Sequence, residues 1–104
     1  MTAELGALTR EVFEPLLHQS FRVRPAGRGA WSVDLVLVEV SGQSQGPLET
    51  LSLLFRGPRE GVFPHDTHAV SHPTLGVLEL FLGPVQSSKN DGIYYQAIFS
   101  RLRA

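Results

Sequence analysis

From Phe21 onward, apolar and polar positions alternate with a period of two, the mark of half-buried β-strands. Phe21-Arg22-Val23-Arg24 opens the series, and Pro25 to Gly29 follows as a turn cluster. Trp31 to Val40 is the longest strand candidate. Its middle, Leu35-Val36-Leu37-Val38, is apolar on both faces, which fits a strand covered on both sides or a bulge where the facing switches. Ser41 to Pro47 reads as a polar, glycine-containing loop. Leu51, Leu53 and Phe55 then share one strand face, closed by a turn at Gly57 to Gly61. Val62-Phe63-Pro64 fits a short edge segment, since proline is tolerated at edges. His65-Asp66 reads as polar loop, and Thr67 to His72 as a weak, exposed edge strand. A turn at His72 to Gly76 leads to a strand lined by Leu78, Leu80 and Leu82, with Phe81 on its other face. Gln86 to Gly92 is polar and ends in the turn signal Asn90-Asp91-Gly92. Tyr95, Ala97 and Phe99 line the last strand.

Ahead of the strands the period lengthens. Thr9 is a fitting N-cap, Leu8 and Phe13 have the spacing of a hydrophobic staple, and Glu11 sits where the helix dipole favours an acid. Pro15 interrupts the pattern, so a short broken helix is predicted over 9–18. Its apolar face, Phe13, Leu16 and Leu17, is placed to plug one open end of the sheet. The whole reads as a single domain, 1–104: mainly β, about six antiparallel strands in a small barrel or sandwich, preceded by one short helix. The expected core is Phe13, Leu17, Phe21, Val23, Leu35, Leu37, Leu53, Phe55, Val70, Leu78, Leu80, Tyr95, Ala97 and Phe99.

Composition narrows the function. Charged residues make up only 18% of the 104, against ~25% in ordinary domains, which leaves apolar surface or an interface to be expected. A net charge of −1 argues against a nucleic-acid partner and against docking on an anionic membrane. With no cysteine, disulfides, thiolate metal sites and cysteine nucleophiles are excluded. The apolar runs are too short to insert in a bilayer, and the first residues lack the basic and apolar regions of a signal peptide. Synthesis in the cytoplasm is therefore expected, with the final location open and an extracellular assembly compatible.

Catalytic signals are weak. His65, Asp66, His68 and His72 carry the chemistry for a zinc site or a hydrolase, but His68 and His72 would lie ~13 Å apart along one strand. No Gly-x-Ser-x-Gly elbow and no phosphate-binding glycine motif is present. No catalytic residue, metal or cofactor is therefore assigned. Surface candidates are stronger. Arg22 and Arg24, with Arg28, Arg101 and Arg103, would form a basic patch if the first and last strands adjoin. Trp31, Tyr94, Gln96 and Ile98 are the candidates for exposed contact area, the last three on the outer face of the final strand.

Five segments bear a family likeness: Phe13-Glu14-Pro15-Leu16-Leu17 with Phe21; Leu53 to Pro58; His72-Pro73 with Leu75-Gly76; Leu78 to Val85; and Tyr95 to Phe99. Over residues 8–99 the chain resembles a bacterial family of roughly hundred-residue domains of unknown function, often encoded near proteins like phage tail-collar fibres. The resemblance implies a fibre-type context and no activity. The chain departs from the family pattern at His18, where the helix usually ends in glycine, and at His68, where an aromatic residue is usual. The expected function is a non-enzymatic structural or interaction module that assembles with itself or with a fibre-type protein. The alternatives are a small-ligand-binding barrel, using Trp31, Tyr94, Tyr95 and the histidine loop, and a histidine-based metal hydrolase.

Overall fold

The computed structural model describes residues 10–27, 29–87 and 89–102, with 101 and 102 by backbone alone. A four-residue helix, α1 (Arg10–Phe13), runs into a 3-10 turn, Glu14–Leu16. Six strands follow: β1 (Ser20–Arg24), β2 (Val33–Gln45), β3 (Leu48–Gly57), β4 (Asp66–His72), β5 (Gly76–Val85) and β6 (Ile93–Leu102). They close into an antiparallel barrel in the order β1-β2-β3-β6-β5-β4. Two three-stranded meanders thus meet along β3–β6 and along β1–β4. Of the two architectures the alternation allowed, the barrel is the one formed, and closure removes most of the free strand edge.

The bulge explains the run that was apolar on both faces. Leu37 pairs with Phe55 and Glu39 with Leu54, so Val38 is the extra residue. Beyond it Val40 packs against the core, as Leu35 and Leu37 do before it. The expected loop at Ser41 to Pro47 is corrected. β2 continues to Gln45, and the hairpin turns at Gly46-Pro47, with Gly46 at φ +59°. Two further expectations are corrected. Phe63 lies in no strand and is fully buried, and β4 is no edge, since it pairs with both β1 and β5.

Each end of the barrel is stoppered. At the helix end, α1 is too short to hold its shape alone and depends on burying Phe13 and Leu16. Phe13 meets Phe99 edge-on at 6.3 Å. The Arg10–Glu14 ion pair, at 2.8 Å, is exposed and contributes only about 0.3–0.5 kcal/mol. The capping roles expected of Leu8 and Thr9 lie outside the described residues. At the other end, the crossover from β3 to β4 (58–65) drops Phe63 onto Tyr95, rings stacked at 4.2 Å and 9°. Between the stoppers lie Phe21 against Phe55 at 5.4 Å, with Leu35, Leu53, Val70, Leu78 and Leu80. Most of the expected core is buried; Leu17 and Phe99 are half-buried against it, and Leu16, Leu51, Phe63, Leu82, His68 and His72 join it.

Candidate interaction surface

The expected candidates sit in three separate places. Arg22 and Arg24 face outward on β1, where the Arg22 Nε donates to Asp34 at 3.1 Å. The condition for a joint basic patch fails: β1 and β6 stand on opposite sides of the ring, with two strands between them either way. Trp31, 37% exposed, lies in the β1–β2 connection with its ring over Gly61 of the crossover. On β6 the three outer positions diverge. Tyr94 is buried, Gln96 is half-buried with its Nε2 donating to the Ser52 hydroxyl, and Ile98 is 56% exposed.

Tyr94 belongs to a cluster at the loop end. Its hydroxyl donates to Asp91 at 2.8 Å, and Arg56 donates to the other carboxylate oxygen at 3.3 Å. The Tyr94 hydrogen bond, helped by the charges of Arg56 and Lys89, holds the Asp91 carboxyl below its usual range. Removal of the Tyr94 phenol from water, reinforced by the bond to Asp91, pushes that hydroxyl up.

The histidines do not converge. His68 and His72 share a face of β4, as their spacing requires, but that face is the barrel interior. The Ala26 N–H donates to His68 Nδ1 at 2.8 Å, and His68 Nε2 lies 2.9 Å from the Pro64 carbonyl, so the ring carries its proton on Nε2. His68 therefore ties the β1–β2 connection to the crossover. His72 does the same at the helix end: Nδ1 accepts from the Thr74 N–H at 3.0 Å, and Nε2 donates to the Gln19 side chain at 2.8 Å. Both nitrogens of each ring are engaged, leaving no lone pair for a metal. His65 is exposed, its ring over Gly83 and stacked beside Phe81, and Asp66 turns back to the Thr67 N–H. Among the described residues no three His, Cys, Asp or Glu side chains are grouped to hold a metal ion. Trp31, Tyr95 and His68 do stand at the crossover end, but there Phe63 packs on Tyr95 and His68 and fills the axis, while His72 lies at the helix end.

The junction between β5 and β6 is open over part of its length. The two strands pair only from Leu82–Ala97 to Val85–Tyr94. Beyond Leu82 and Ala97 they part, and among the described residues no strand pairs with β5 at 76–81 or β6 at 98–102 on the sides that face each other. Leu82 and Ala97 point inward, so the next residues, Phe81 and Ile98, point outward where the ladder opens. Among the described residues they are the most exposed large hydrophobic side chains, at 60% and 56%, with Val77 two outward positions further along β5. Sequence reasoning marked Ile98 and missed Phe81, although its outward place in the β5 rhythm was a usable signal.

The fold and its surface define a class: a small, six-stranded antiparallel barrel, closed in its ring order, with a packed interior and a β5–β6 seam that opens past Leu82 and Ala97. The chain belongs to a family of domains of unknown function, DUF6916, which it matches over residues 8–99. No curated protein and no solved structure matches it. No helix among the described residues is long and apolar enough to cross a membrane.

Proposed function

We propose that this barrel is a non-enzymatic interaction module that joins a second copy of itself along the β5–β6 seam. The observation that carries the reading is the pairing of two large, outward apolar side chains, Phe81 and Ile98, with unpaired strand edge beside them. Edge backbone supplies donors and acceptors for an added strand, and side chains at alternate positions supply selectivity. An antiparallel pairing of β6 with its own copy satisfies two-fold symmetry without requiring a second sequence. The charge fits too: at a net −1, two copies approach with little mutual repulsion.

Light scattering coupled to size exclusion tests this. The wild type is expected to elute as a dimer at about 100 µM, and Ile98→Lys and Phe81→Glu as folded monomers with unchanged far-ultraviolet circular dichroism. A wild type that stays monomeric at millimolar concentration sinks the reading. Capture of a fibre-type protein by a strictly monomeric barrel would replace the second copy with that partner.

A further inference from the structure

At the loop end of the molecule, away from the open seam, the crossover and the β5–β6 connection enclose a groove of ≈ 370 Å³. That is within the ~300–1,000 Å³ range of small-molecule sites. Its apolar lining is Val62 from the crossover, Pro84 and Val85 from the end of β5, and Ile93 from the start of β6. Two cations line it as well: Arg59 on the crossover and Lys89 on the β5–β6 connection. Neither makes an ion pair with any described residue. Asp91, on which the Lys89 charge acts, takes its hydrogen bonds from the Tyr94 hydroxyl and Arg56. Asn90 adds a side-chain amide to the lining.

We infer that this groove binds a small organic anion, a carboxylate on an apolar stem, with Arg59 and Lys89 holding the charge and Val62, Val85 and Ile93 covering the stem. Two cations that make no direct ion pair, set beside apolar surface, favour a ligand that supplies both parts. A guanidinium fork takes a carboxylate on two donors, and an ammonium adds a point charge. An inorganic anion would leave the apolar lining wet, and a neutral apolar molecule would leave the cations unpaired. The site opens at the surface, so salt weakens binding.

Titration of the ¹⁵N-labelled protein with 3-phenylpropionate, benzoate and hexanoate, followed by backbone amide shifts, tests the inference. Shifts are expected to concentrate at Val62, Val85, Gly92 and Ile93. The neutral isostere 3-phenylpropanamide is expected to bind at least tenfold more weakly, and Arg59→Gln with Lys89→Gln to weaken 3-phenylpropionate at least tenfold while leaving the rest of the spectrum in place. Equal binding of acid and amide, shifts scattered over the surface, no effect of the double substitution, or no binding by any of the three acids would each overturn it. The readout is independent of assembly through the seam: Ile98→Lys is expected to bind these acids as the wild type does.

Discussion

His18 holds φ +70°, the only described non-glycine residue in the left-handed region. A side chain there costs about 1–2 kcal/mol, and glycine escapes most of that cost. The conformation has a purpose: just past the 3-10 turn, it lets the His18 N–H donate to the Leu37 carbonyl at 2.7 Å and aims the chain into β1. His18→Gly is expected to stabilise the domain by about 1 kcal/mol, a rise of roughly 4–8 °C in Tm by calorimetry. A lower Tm would mean that the imidazole contributes more than its backbone strain costs. His68 presents the opposite case. Phe fits the edge-on packing against Phe63 at 4.7 Å but cannot serve the Ala26 N–H or the Pro64 carbonyl. At about 0.5–1.5 kcal/mol net for each hydrogen bond lost, His68→Phe is expected to lower the urea midpoint with an unchanged m-value. An unchanged midpoint would show that the two bonds contribute nothing net.

Strands were legible wherever one face is buried and the other wet, because that contrast is what a two-residue rhythm records. β1, the core of β3, and β5 carry it plainly, with burial alternating along Ser20–Arg24, Thr50–Gly57 and Val77–Leu82. The end of β2 does not: Ser41 to Gln45 is largely solvated, so its side chains give no contrast and the segment resembled a loop. β4 was undervalued because two of its inward positions are histidines, and their partners Gln19, Ala26 and Pro64 are set by the fold rather than by local spacing. Phe63, a lone aromatic between Pro58 and Pro64, belongs to no periodic run, yet it closes one end. Phe63→Ala is expected to cost about 3–5 kcal/mol, measured by chemical denaturation. The Arg56–Asp91–Tyr94 cluster ties the β5–β6 connection to β3 and gives the domain a pH signature. Asp91 is held low in the folded state, so its contribution is full above the unfolded value near pH 4 and fades as acid reaches the lower, folded value. Tyr94 is held high, so its contribution is full below about pH 10 and is lost as pH climbs through the higher, folded value. Denaturation midpoints are expected to show less alkaline decline in Tyr94→Phe and less acid decline in Asp91→Asn. Slopes matching the wild type would remove the cluster from the account.

At the scale of the molecule, ring order was beyond reach of the sequence, since the pairings that close the barrel join Arg22 with Ser71 and Leu48 with Leu102. No local signal encodes a contact of that range, and such topologies fold on the millisecond-to-second scale. The candidate surface was legible only in part for the same reason: Ile98 could be read as outward, but the parting of β5 from β6 that exposes it emerges only once the ring is assembled. The ring also consists of one meander, β1-β2-β3, meeting another, β4-β5-β6, with the 58–65 crossover as their only covalent link. Every contact between the meanders is available equally to halves from two chains, so straightening that crossover lets two molecules trade halves and form an intertwined, domain-swapped pair. Phe63, stacked on Tyr95, pins that crossover to the ring, so Phe63→Ala is expected to raise the swapped fraction on refolding from concentrated denaturant, whatever residue stands at position 98, as size exclusion would read.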